Sequence, residues 1–116
     1  MPRTTSFEFG DILLVPFPFT DLRSSKNRPA IVVSSEAYAK DHPDLILIAL
    51  TSHTRGRTRT GEAALDRWKE AGLKKPSTIK PILFTIEKKL IVKKLGRLDK
   101  QDRSRLRDVL DQVLGG

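Results

Sequence analysis

The run Asp11-Ile12-Leu13-Leu14-Val15-Pro16-Phe17 is apolar on both faces and rich in branched side chains. Short continuous apolar runs of this kind are consistent with strands buried on both sides. Gly10 and Asp11 mark where the strand opens. Pro16 and Pro18 end its ladder pairing, because proline has no N–H to donate, and the polar stretch Thr20 to Asn27 reads as a loop.

Two more runs have the same character: Ala30 to Val33 (AIVV) and Leu45 to Leu50 (LILIAL). Between them Ser35 to Lys40 fits a short helix, with Ser34 or Ser35 as its cap and Pro43 just past its end. Thr51 to Thr60 (TSHTRGRTRT) has no large apolar side chain and predicts an exposed loop. In Glu62 to Ala71, the residues Ala64, Leu65, Trp68 and Ala71 share one helical face, and Gly72 supplies a stop. Ile79 to Ile86 predicts a strand interrupted at Pro81, and Leu90 to Val92 a shorter one. The last segment reads as a helix capped by Asp99, with Leu106, Val109, Leu110, Val113 and Leu114 on its core stripe and Gly115 at its end. Asp99, Asp102, Asp108 and Asp111 fall to its solvated face.

Strands come first, helical pieces interrupt them, and a helix closes the chain. That order predicts a mainly β protein: a small, strongly bent antiparallel sheet or barrel with covering helices, in one domain over residues 1–116. Strands do not alternate with long helices, which argues against a doubly wound parallel fold. The longest aliphatic run is too short to span a bilayer, and the first residues (MPRTTSFEFG) lack the apolar stretch of a secretory signal. Cysteine is absent, which excludes disulfides, thiolate nucleophiles and cysteine-based zinc sites. A cytoplasmic protein is the expectation. Its formal net charge of +8 favours polyanionic partners: nucleic acid first, an acidic protein segment next.

Gly10-Asp11-Ile12-Leu13-Leu14-Val15 and Lys26-Asn27-Arg28-Pro29-Ala30-Ile31-Val32-Val33-Ser34 resemble the opening of the MazF/PemK toxins. The likeness continues through Ile48-Ala49-Leu50-Thr51-Ser52, Lys75-Pro76-Ser77 and Leu95-Gly96-Arg97-Leu98, in the same order along the chain. The resemblance implies an SH3-like barrel of the MazF/PemK/CcdB type, assembled as a homodimer. It also implies an endoribonuclease toxin, held inactive by a cognate antitoxin and meeting DNA only through that antitoxin. The family's sequence-specific members cut single-stranded RNA, leaving a 2′,3′-cyclic phosphate and a 5′-hydroxyl. Its catalytic arginine and threonine correspond to Arg28 and Thr51. The family often carries an acidic or amide pair after the segment matching Pro76-Ser77, where this chain has Lys80-Pro81-Ile82-Leu83.

The residue types suit that chemistry. Attack of a 2′-hydroxyl on its own phosphorus builds negative charge on the phosphoryl oxygens, and a guanidinium can stabilise it through two parallel hydrogen bonds. Pro29 biases Arg28 towards an extended backbone, which helps aim the side chain. Read without the resemblance, Arg28 is an ordinary surface arginine and Thr51 a strand-end threonine. Arginine stays protonated, so Arg28 serves as charge stabiliser or late proton donor rather than as base. His53 is either an auxiliary base, an RNA contact or a polar loop residue. Arg55 and Arg57, with Arg59, alternate with small polar residues and suit a clamp on a phosphate backbone. Lys75, Ser77 and Lys80, with Lys74, can extend the same groove. Phe19, Thr20, Lys26 and Ser52 complete the candidate RNA contacts, Phe19 by stacking on a base. Lys88, Lys89, Lys93 and Lys94 read as the coat of a surface strand.

No cofactor is expected. The two histidines lie far apart with no helical metal motif, and the carboxylates do not cluster, so metal-assisted hydrolysis is not expected either. Two other functions stay open. One is a catalytically silent nucleic-acid-binding module. The other is a CcdB-like toxin acting on a protein target such as gyrase, which would need a C-terminal helix reaching outward.

Overall fold

The apolar runs near the start of the chain become neighbours in one sheet. The computed structural model of the protein describes residues 6–16, 26–52 and 59–115. Its strands are β1 (Asp11–Pro16), β2 (Asn27–Val32), β3 (Asp44–Thr51), β4 (Ala63–Ala64), β5 (Thr78–Glu87) and β6 (Lys93–Arg97). Helix α1 (Glu36–Asp41) links β2 to β3, and α2 (Lys100–Val113) closes the fold. Among the described residues the sheet order is β4-β5-β3-β2-β1-β6, antiparallel throughout.

Successive residues of a strand face opposite sides, and here both sides are covered. Leu13, Val15, Ala30, Val32, Leu47 and Ala49 pack in one cluster with Phe7 and Ala39 of α1. Ile12, Ile31, Ile48, Leu50 and Ile79 pack in a second with Leu65, Leu73 and α2 residues Leu106 and Val109. This double burial is why the sequence shows unbroken apolar runs. Each fully buried Val, Leu or Ile among them contributes about 1.5–3 kcal/mol.

Two irregularities bend the sheet. Between β1 and β6 the register jumps, with Ile12 opposite Gly96 and Leu13 opposite Lys94, so Leu95 is the extra residue. Between β3 and β5, Ile48 faces Leu83 while Leu50 faces Ile79, so the bulge falls on Lys80 to Ile82. Bulges raise the local twist of the bulged strand. The strand expected to be interrupted at Pro81 is thus continuous in direction but broken in pairing there. The expected small, bent antiparallel sheet with a closing helix is what forms.

The capping predictions resolve cleanly. Ser35 caps α1, its Oγ accepting the Tyr38 N–H at 3.0 Å, while Ser34 accepts the Ile46 N–H at 3.2 Å. Asp99 caps α2 through the Asp102 N–H at 2.8 Å.

Other expectations are corrected. Glu62 to Ala71 is no helix: Ala63–Ala64 pair with β5, and the chain then runs through turns to Gly72. Leu65 and Ala71 are buried all the same, so the apolar positions were legible and their period was misleading. Asp102, expected on a solvated face, is fully buried. Its carboxylate accepts the backbone N–H groups of Asp66 and Arg67 at 3.2 and 2.9 Å, and so pins that turn. The edge strand is Lys93–Arg97 rather than Leu90 to Val92, because Lys88–Leu90 form a 3-10 turn first. Val113 and Leu114, expected as core contacts, are 36% and 55% exposed.

Candidate functional site

Arg28 and Thr51 reach one cleft from adjacent strands. The last recorded pair between β2 and β3 is Ala30 opposite Ala49, and the same register carried two residues outward sets Arg28 across from Thr51. On its other side Arg28 pairs with Val15 of β1, and Pro29 with Leu14. The cleft holds about 320 Å³. Its apolar floor is made of Leu14, Pro29, Leu50 and Leu95. Ser52 joins Thr51 at the end of β3, while Gly72, Lys74, Lys75 and Ser77 come from the connection between β4 and β5.

That connection reaches the opposite edge of the sheet, where it meets β6. A Cβ on Gly72 would lie 2.2 Å from the Leu95 carbonyl oxygen, and one on Gly96 2.1 Å from that of Ala71. Gly72 also has φ +94°, a left-handed conformation that side chains disfavour. Two glycines thus let backbones touch and bring Lys74 and Lys75 over the sheet towards Arg28.

The electrostatics are one-sided. Arg28, Lys74, Lys75 and Lys93 line the cleft, and none of the described lining residues is acidic. Ser77 is buried, and its hydroxyl donates to the Lys75 carbonyl at 3.0 Å, so towards the cleft it can only accept. Thr51 is half-buried and Ser52 exposed. Such a site attracts an anion and offers hydroxyls to its oxygens.

Most of the anticipated residues that the structure describes come together. Arg28, Thr51, Ser52, Lys75 and Ser77 share the cleft. Lys26 is exposed just before β2 and does not line it. Lys80 lies elsewhere, with its ammonium 2.6 Å from the Glu62 carboxylate. Phe19, Thr20, His53, Arg55 and Arg57 lie outside the described residues. Lys93 is the cleft residue the sequence reading missed: it lies exposed on the edge strand β6, as expected of a surface strand, and also lines the cleft. The bulge at Leu95 interrupts strand alternation, so the pairing of Lys93 opposite Leu14 was not legible locally.

Residues 8–114 match the family model described as PemK-like, MazF-like toxin of type II toxin-antitoxin system. The chain belongs to this toxin family. Among solved structures, this PemK-like toxin is similar to a mycobacterial endoribonuclease in complex with its cognate antitoxin. The two share 18% identity and a TM-score of 0.75, over 93% of this chain and 94% of that one. A second mycobacterial endoribonuclease gives 19% identity and a TM-score of 0.74, over 98% and 96% of the two chains. MazF of Deinococcus radiodurans gives 17% identity and a TM-score of 0.71, over 98% of this chain and all of that one. At these identities the similarity establishes the fold. A sequence comparison with curated proteins gives no significant match. In the PemK-like chain no described helix is long and apolar enough to cross a membrane.

Proposed function

We propose that the protein is the endoribonuclease toxin of a type II toxin–antitoxin pair, cleaving single-stranded RNA in the Arg28–Thr51 cleft. The observation that carries this reading is the lining: four cations and the hydroxyls of Thr51 and Ser52, with no carboxylate among the described lining residues. Family membership and the endoribonuclease relatives of the same fold support it.

The 2′-oxygen of the substrate attacks the adjacent phosphorus. A bond forms from the 2′-oxygen to phosphorus, and the bond from phosphorus to the 5′-oxygen breaks. The 2′-hydroxyl gives up its proton, the 5′-oxygen takes one, and the products are a 2′,3′-cyclic phosphate and a 5′-hydroxyl. Negative charge peaks on the phosphoryl oxygens midway. Arg28 meets that charge with two N–H donors, and stabilisation of this kind acts mainly in the transition state. Thr51 donates its hydroxyl to a phosphoryl oxygen. His53, two residues beyond Thr51 in sequence, is the candidate proton acceptor. No step in this account draws on a metal ion.

The partners follow from charge. A cationic cleft on a chain of net charge +8 suits both an RNA backbone and an acidic segment of a cognate antitoxin. The protein acts as a homodimer in this reading. The test is incubation of purified protein with single-stranded RNA in excess chelator. Cleavage should proceed and leave 5′ ends that a polynucleotide kinase labels without prior phosphatase treatment. Cleavage only on addition of magnesium, or ends that need dephosphorylation first, would reject the mechanism.

A further inference from the structure

We infer that Lys93 forms a second phosphate subsite in the cleft, gripping a phosphate of the RNA that neighbours the scissile one. The inference rests on the reading of the cleft as an RNA site. Arg28 enters from β2, while Lys93 enters from β6, on the other side of β1, where it pairs with Leu14. The two cations therefore flank the apolar floor at Leu14 instead of meeting at one point. A single phosphate between Arg28 and Thr51 leaves Lys93 to an adjoining one.

The fold aims Lys93 through its neighbour. Asp11 is fully buried, and its carboxylate receives the Lys94 ammonium at 3.2 Å, the Arg97 guanidinium at 3.0 Å and the Glu8 N–H at 2.8 Å. With Lys94 drawn to Asp11, strand alternation turns Lys93 to the opposite side, which Leu95 shares. Lys93 itself forms no ion pair with a described carboxylate. An exposed ammonium beside an apolar floor is suited to a phosphate as a point charge.

The experiment measures binding apart from cleavage. The probe is a fluorescein-labelled pool of random-sequence 2′-O-methyl RNA 10-mers, which lack the attacking hydroxyl. Affinity is followed against salt for the wild type, Lys93→Gln and Lys89→Gln. Lys89 is an outer lysine paired with Glu87, and its loss removes the same net charge. Releasing one phosphate contact on a single strand lowers the slope of log affinity against log salt by about 0.7. Lys93→Gln should show that loss, and Lys89→Gln should keep the wild-type slope. Equal slopes for the two variants would overturn the subsite. The cleavage assay separates this result from the proposed function. A chain that never cuts RNA but loses the slope at Lys93 keeps the subsite and loses the catalytic reading. A chain that cuts RNA with an unchanged slope at Lys93 does the reverse.

Discussion

Gly72 and Gly96 meet backbone against backbone, each so placed that a Cβ would lie within 2.2 Å of a carbonyl oxygen across the contact. Gly72 lies in the connection from the edge strand β4 to β5 and Gly96 within β6, the opposite edge strand, and their contact curls the sheet into a half-barrel. The cleft exists because of that closure, since Lys74, Lys75 and Ser77 follow directly on Gly72.

Gly72→Ala should therefore destabilise the fold by about 3 kcal/mol or more, combining a backbone clash with a strained φ. Gly115→Ala, where a Cβ meets nothing within 4 Å, should unfold like the wild type. Urea unfolding followed by circular dichroism measures both. An unchanged midpoint for Gly72→Ala would refute the close approach.

Asp102 and Asp108 look alike in sequence but differ in structure. Asp102→Ala would strand the Asp66 and Arg67 N–H groups that its carboxylate now satisfies, at a cost of about 3 kcal/mol. Asp108→Ala, on the exposed side of α2, should stay within about 0.5 kcal/mol of the wild type. Equal effects in the same unfolding assay would show that the turn does not depend on Asp102.

Glu62 gives a pH signature. Its hydrogen bond from Lys80, helped by the Arg59 backbone N–H, holds its carboxyl below the usual carboxylate range in the folded protein. A pKa lowered by folding adds stability that is fully present above the unfolded-state value. It is lost as pH falls through the folded one. Glu62→Gln should thus melt below the wild type at neutral pH, and the gap should narrow in acid below the usual carboxylate range. A gap that widens on acidification would contradict the pairing.

Much of this architecture was legible from local signals. Continuous apolar runs announced β1, β2 and β3, and Ser35 and Asp99 announced the starts of both helices. The misreadings share a physical cause. Glu62 to Ala71 has helical spacing, but pairing with β5 and the Asp102 carboxylate impose a strand and turns on it. Local preference yields there to a partner over thirty residues away in sequence. Lys93 and Lys94 lie exposed on a surface strand as expected, but that strand runs from Lys93 to Arg97 instead of Leu90 to Val92, and no local signal shows that the buried Asp11 takes Lys94. In the site, Arg28 and Thr51 emerged from resemblance to a family, and Lys93 required the sheet order.

Thr51 contributes a hydroxyl and a methyl group, and the account uses the hydroxyl. Thr51→Ser should keep most of the cleavage rate, whereas Thr51→Ala should lower kcat by about 10²-fold or more with a smaller change in KM. Single-turnover cleavage of a labelled RNA distinguishes them. Equal losses in both variants would assign Thr51 to packing.

The most direct test of the central claim is the single-turnover cleavage rate of Arg28→Ala in chelator, measured beside its thermal unfolding. The account predicts a loss of at least about a hundredfold in rate, with the unfolding temperature nearly unchanged because Arg28 is exposed. Undiminished cleavage by a folded Arg28→Ala protein would contradict it.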